Sequence, residues 1–148
     1  MRKAAKISSC GRYRYNLARA WLKYPIAGTF YHNPPIVFVM LNPSTADASI
    51  DDPTIRRCIG FAKREGFEHL QVRNLFAGRA TKPEDLFKMA DPVGEDNDVY
   101  LENLRVRAKE THGSKIVCAW GARPEAKKRA RIFLQMMGDR PLYCLGTT

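Results

Sequence analysis

Two stretches of this sequence set polar groups capable of chemistry directly after apolar runs that could hold them still. The first is Leu41-Asn42-Pro43-Ser44-Thr45-Ala46-Asp47. The Asn42 carboxamide can orient a water or grip a base edge, since it offers a donor and an acceptor side by side. Pro43 stiffens the turn, Ser44 and Thr45 can donate to an anion, and Asp47 can act as a base. The second stretch is Asn74-Leu75-Phe76-Ala77-Gly78-Arg79-Ala80-Thr81. Here Asn74 could pair with a nucleobase edge and Phe76 could stack on it. Arg79 could hold a phosphate bidentately, with Thr81 alongside. Asn, Pro, Ser and Asp are also ordinary turn residues, so a purely structural reading of both stretches stays open.

Other chemistry-bearing groups have plainer readings. Asp51-Asp52-Pro53-Thr54 is first of all a helix start, because carboxylates suit the positive end of a helix dipole. Asp52 could also serve as a base or, grouped with Asp47 and Asp51, help hold a divalent ion. Lys127, Lys128, Arg129 and Arg131 read as one solvated helix face, on which Lys127, Lys128 and Arg131 could track a phosphate backbone. His32, His69 and His112 lie at predicted element boundaries, lack metal-ligand spacing and are assigned no role. Cys10, Cys58, Cys118 and Cys144 lack C-x-x-C spacing and read as reduced, mostly buried thiols. No metal or other cofactor is implied.

These residues need elements to position them. Ile36 to Leu41 is apolar without alternation, which suits a strand buried on both faces. A helix follows, capped by Asp51 or Asp52, with Pro53 in its first turn and Gly66 at its end. Leu70–Phe76, Lys115–Trp120 and Leu142–Leu145 read as further strands. Pro83 opens a short helix, Glu95–His112 a longer one ended by Gly113, and Pro124–Met137 a basic one. Strands alternating with helices imply an α/β fold in three layers, α/β/α, around a central four-stranded, mostly parallel sheet. Residues 1–35 form an N-terminal extension, hairpin-like, with Tyr13 and Tyr15 on one face and Arg12 and Arg14 on the other. Asn33-Pro34-Pro35 stops regular structure. In such sheets ligands bind at the carboxyl ends of the strands, where the two polar loops fall. Asn42 and Asn74 are therefore expected to converge on one cleft.

The 148 residues fit one domain, and 45% hydrophobic with 27% charged residues is ordinary for a globular chain. No apolar run approaches the ~20 residues of a membrane span, and no signal-peptide core follows the N-terminus, so a cytoplasmic location and no membrane partner are expected. Twenty-five Lys and Arg against fifteen Asp and Glu give a net charge of +10. Such a field draws polyanions, so DNA or a nucleotide is the expected partner. Oligomeric state is not readable.

The runs LNPSTAD, DDPTIRRCIGFAKREG, NLFAGRATKPEDL, DPVGEDND and AWGA resemble an uncharacterised family of bacterial and phage proteins along nearly the whole chain. The layout also resembles the uracil-DNA glycosylase superfamily, whose first strand ends in a motif similar to Leu41-Asn42-Pro43-Ser44. There an Asn or Asp positions the attacking water. A later strand end that reads the base, followed by an Arg-Pro-Thr-like turn, is similar to Asn74 through Thr81, with Ala80 where Pro often stands. The third strand and its Gly resemble Val117 to Gly121. The superfamily closes on a His-containing loop, whereas this chain ends at Leu145-Gly146-Thr147-Thr148. Losing one preorganised donor costs ~2.7–4 kcal/mol in a transition state, so the resemblance implies weakened glycosylase activity.

The resemblance and the residues together make the expected function a glycosylase-like protein that recognises a nucleobase in DNA or a nucleotide. Asn42 would position water, with Asp47 or Asp52 as base. Pro43, Ser44, Thr45, Asn74, Phe76, Arg79 and Thr81 would line the base or nucleotide site. Two alternatives remain open. One is a non-catalytic nucleic-acid-binding or phage-defence-related module. The other is a metal-dependent nucleotide hydrolase or transferase using Asp47, Asp51 and Asp52.

Overall fold

A computed structural model describes residues 1–21, 34–110 and 114–145. Expectations for His32, Asn33, His112, Gly113 and the segment 146–148 lie outside the described residues. Five strands, β1 (Arg2–Ile7), β2 (Arg14–Ala20), β3 (Ile36–Met40), β4 (His69–Asn74) and β5 (Lys115–Ala119), form one mixed sheet in the order β1-β2-β4-β3-β5. Among the described residues four helices accompany the sheet: α1 (Pro53–Arg64), α2 (Pro83–Phe87), α3 (Asn97–Glu110) and α4 (Lys127–Met137), the last preceded by a 3-10 turn at Pro124–Ala126.

The apolar run of β3 sits at the centre, parallel to β4 on one side and to β5 on the other. Its alternate residues feed two cores. Ile36 and Phe38 pack with Ile55, Cys58, Ile59 and Ala62 of α1, while Val37 and Val39 pack with Leu86 of α2, Leu101 and Leu104 of α3, and Phe133 and Met137 of α4. Helices thus cover both faces. Each fully buried Ile, Leu or Phe among them contributes about 1.5–3 kcal/mol.

Local signals place α1 where the sequence predicts it. Asp52 Oδ1 accepts from the Ile55 N–H at 2.9 Å, Pro53 opens the helix and Lys63 and Arg64 close it. Gly66 then adopts φ +84°, the left-handed conformation that ends a helix without a Cβ penalty.

Two expectations for the sheet need correction. The N-terminal hairpin is no appendage: β2 pairs antiparallel with β4, so β1 and β2 extend the parallel core β4-β3-β5 into a five-stranded mixed sheet. Residues Leu142–Leu145 do not form a fourth core strand. They meet β5 through a single bridge, Val117 to Tyr143, and Tyr143, Cys144 and Leu145 are exposed. With Pro141 ahead of it, this segment has little room to extend a ladder.

The hairpin also buries arginines, which period-two alternation places on a polar face. Arg14 and Arg19 are both buried, on the side that faces the loop between β3 and α1. The Arg19 guanidinium is satisfied on every N–H. Nε donates to Asp51 at 2.7 Å, Nη1 to the Ala4 and Ala18 carbonyls, and Nη2 to those of Asp47 and Ile50. One side chain thereby ties β1, β2 and the loop after β3. Tyr13, Tyr15 and Tyr100 stack in series on the opposite side, joining the hairpin to α3.

Candidate functional site

The carboxyl ends of β3 and β4 lead into the two polar loops, and backbone bonds run the loops side by side. Leu75 N donates to Met40 O at 2.9 Å, Phe76 N to Leu41 O at 3.0 Å and Ala80 N to Pro43 O at 3.0 Å. Pro43 has no N–H with which to continue this ladder. The Asn42 side chain supplies the missing donors: its NH2 group reaches Pro43 O at 3.0 Å, Gly78 O at 3.2 Å and Ala80 O at 2.9 Å. Two hydrogens serve three carbonyls, so one is shared. Asn42 Oδ1 accepts from none of the described residues.

Arg79 fastens a third strand of chain to this braid. Its Nε donates to Ser44 O at 3.3 Å, Nη2 to Thr45 O at 3.4 Å and Nη1 to Gly11 O at 3.2 Å, and its backbone N–H reaches Arg12 O at 2.8 Å. The hairpin turn is thus part of the same edge. Gly78 lets this loop lie close against the chain that follows α2, since a Cβ there would lie 2.7 Å from Met89 Sδ and 3.1 Å from Pro92 O. Gly11, Arg12, Ser44, Thr45, Arg79, Ala80 and Thr81 then line an open cleft of about 470 Å³. The Ser44 and Thr81 hydroxyls stand 3.2 Å apart in it. Ser44, Thr45, Arg79 and Thr81 are therefore brought together, as the loop reading expects. Arg12 is the member that reading misses; its signal is a cation beside a glycine in a hairpin turn.

The remaining predicted residues go elsewhere. Asn42 and Asn74 do not line this cleft. Asn74 is 1% exposed and neither its Nδ2 nor its Oδ1 has a partner, while its carbonyl accepts from Asn97 Nδ2 at 2.9 Å. Phe76 is a core residue: its ring meets Phe87 edge-on at 5.2 Å, so the expected stacking face is already packed. Pro43 is buried.

Each acidic residue is already engaged. Asp47 Oδ1 accepts from the Ser49 and Ile50 N–H groups at 2.8 Å. These two bonds, with help from the Arg79 and Arg19 charges, hold its carboxyl below the ordinary range, which suits a turn anchor better than a base. Asp52 caps α1 and also accepts from Ala46 N at 3.3 Å. Asp51 pairs with Arg19 and Lys3. Among the described residues, no group of three His, Cys, Asp or Glu side chains is arranged to hold a metal.

On α4 the solvated-face reading holds for Lys127, Lys128 and Arg131, which are exposed, and fails for Arg129. Arg129 shares the buried face of Phe133 and Met137, donates from Nε to Leu75 O at 3.1 Å and pairs with Asp98 at 2.6 Å. That contact sets the start of α4, with its exposed cations, beside the end of β4. Among the described residues, Arg12, Arg79, Lys127, Lys128 and Arg131 have no ion-pair partner.

The cysteines divide by environment. Burial pushes the Cys58 thiol up to about 12 and Cys118 up to about 11. Cys10 and Cys144 are exposed, against the expectation of buried thiols. The Ser8 hydroxyl, 3.3 Å from Cys10 Sγ, together with the Arg12 backbone N–H and guanidinium, lowers Cys10 to about 7. Iodoacetamide is expected to modify Cys10 well before Cys58 and Cys118, with a rate that rises between about pH 6 and 8 as the thiolate forms. Peptide mass mapping reads this out. A flat pH profile, or one unmoved by Arg12→Gln, would contradict the assignment.

A family model described as "Protein of unknown function (DUF1643)" matches residues 14–148, and the chain belongs to that family. No curated protein and no solved structure matches it.

Proposed function

We propose that this DUF1643 chain binds nucleic acid along the carboxyl edge of its sheet, as a binding module rather than a hydrolase. The observation that carries the reading is a division of labour at that edge. The carboxylates of the loop after β3, Asp47, Asp51 and Asp52, are committed to backbone N–H groups and to Lys3 and Arg19, and Asp98 and Glu125 beside the start of α4 pair with Arg129 and Arg123, whereas Arg12 and Arg79, and Lys127, Lys128 and Arg131 on α4, have no ion-pair partner among the described residues. On a chain of net charge +10, that leaves an electropositive rim whose loop carboxylates serve the backbone.

Counterion release makes the reading measurable. Fluorescence anisotropy with a labelled single-stranded oligonucleotide should give a log–log salt slope of about −0.7 per phosphate contacted. Lys127→Gln/Lys128→Gln/Arg131→Gln is expected to flatten that slope by about 2. Salt-independent binding, or none at low salt, would refute the reading.

A hydrolytic, glycosylase-like reading retains one point in its favour. Asn42 is pinned by its NH2 group while Oδ1 accepts from none of the described residues, an arrangement that could hold a water in fixed orientation. In that reading Asn42 acts without Asp47 or Asp52 as base, because Asp47 anchors a turn and Asp52 caps α1.

A further inference from the structure

The hairpin turn and the two loops meet at one place where positive charge is concentrated beyond what the protein itself neutralises. Arg12 and Arg79 line the cleft with the Ser44 and Thr81 hydroxyls. Arg79 spends three N–H groups on the Ser44, Thr45 and Gly11 carbonyls, which leaves two of its five. Beneath the same loop lies a third cation. Arg14 is 2% exposed, donates from Nη1 to Ala46 O at 3.0 Å and has no partner for Nε. Burial is the main force that brings Arg14 down to about 10; the Asp52 carboxylate offsets it in part, and repulsion from Arg79 and Arg19 adds to it. Three guanidinium groups of like sign, two of them at a cleft and one buried below it, are offset only in part by Asp52 and Asp47, neither of which forms an ion pair with them, so an anion in the cleft would relieve them further. The cleft's neutral donors are hydroxyls, which favour an oxyanion over a halide-like point charge.

We propose that Arg12, Arg79, Ser44 Oγ and Thr81 Oγ1 form a seat for a single phosphate group of a nucleic-acid strand. The hairpin turn that carries Arg12 is then part of the binding site. The inference rests on the nucleic-acid reading for the source of the phosphate, and on the cleft alone for its chemistry. Arg12 is exposed and its side chain ties no two elements together, so Arg12→Gln should leave the fold intact; Thr81→Val is the second variant.

The test uses the full chain. Amide NMR spectra are recorded as inorganic phosphate is added, and strand binding is followed by anisotropy. Phosphate is expected to shift the signals of Arg12, Ser44 and Thr81 in the wild type and not in Arg12→Gln. Strand affinity is expected to fall about tenfold in Arg12→Gln, the worth of one charge-assisted contact, with the salt slope flatter by about 0.7. Thr81→Val should weaken both bindings by a smaller factor. Phosphate shifts at the cleft without strand binding would uphold the seat and overturn the nucleic-acid source. Strand binding whose affinity and slope ignore Arg12→Gln would overturn the seat and leave the broader reading standing. Phosphate shifts spread over Lys127, Lys128 and Arg131 instead of the cleft would also overturn it.

Discussion

Arg19→Met is expected to destabilise the fold by about 3–5 kcal/mol, the usual cost of breaking a buried ion pair from one side. Arg19 is fully buried, and its loss would leave the Asp51 carboxylate with Lys3 alone and would remove a donor from four carbonyls drawn from β1, β2 and the loop after β3. Urea unfolding followed by Trp fluorescence measures the loss; a change under about 1 kcal/mol would mean the pair is dispensable. The same variant should change the response to acid. Burial alone would raise the Asp51 pKa, but Arg19 and Lys3 outweigh it and hold the carboxyl below its ordinary value. A depressed folded pKa means the stabilisation is present above about pH 4 and is lost as pH falls through the lower folded value. Asp47 adds a contribution of the same sign, through its backbone N–H bonds. Wild-type stability should therefore be level down to about pH 5 and fall below about pH 4, whereas Arg19→Met, less stable throughout, should lose less on acidification, because its Asp51 is no longer held so far below the unfolded value.

Asn42→Asp separates the architectural role of this residue from a chemical one. A carboxylate cannot donate, so the Pro43, Gly78 and Ala80 carbonyls would lose their shared donor and face a negative charge. Asn42→Ala should cost about 1–3 kcal/mol for the Gly78 and Ala80 carbonyls that lose this donor, the Pro43 carbonyl keeping the Ala80 N–H, and Asn42→Asp more than Asn42→Ala. A residue that only orients water would tolerate Asp, which can hold a water at least as well. An Asp variant as stable as wild type would show that the side chain is not the tie between the two loops.

How far these features can be read from the chain depends on the range of the forces involved. The start and end of α1 are written in Asp52, Pro53 and Gly66, whose effects act within a few residues. The apolar run of β3 likewise announces a strand buried on both faces. Pairing of β2 with β4 joins residues about fifty positions apart, and no local pattern in Arg14–Ala20 encodes it. The buried arginines are illegible for the same reason. Arg19 looks like a surface residue until a loop some thirty positions away presents carbonyls and Asp51 to it. Arg129 looks like its neighbours Lys128 and Arg131 until Leu75 O and Asp98 claim it.

The site divides along the same line. Topology alone places Ser44, Thr45, Arg79 and Thr81 at one edge, because loops after adjacent parallel strands must leave the sheet together. Arg12 is invisible to that argument, since its loop precedes the core strands. The amides mislead in a different way. An Asn that serves the backbone, as Asn42 does, and an Asn whose donor and acceptor have no protein partner, as Asn74, are the same residue at the same kind of strand end. Only the positions of the neighbouring carbonyls tell them apart.

The most direct test of the account follows binding and chemistry on one sample. Wild-type protein is mixed with labelled single-stranded DNA at low salt; anisotropy reports the complex and mass spectrometry of the filtrate reports free base. The account predicts a complex that dissolves steeply as salt rises, with every base still attached to its sugar. Free base accumulating with time, or an anisotropy that never rises, would contradict it.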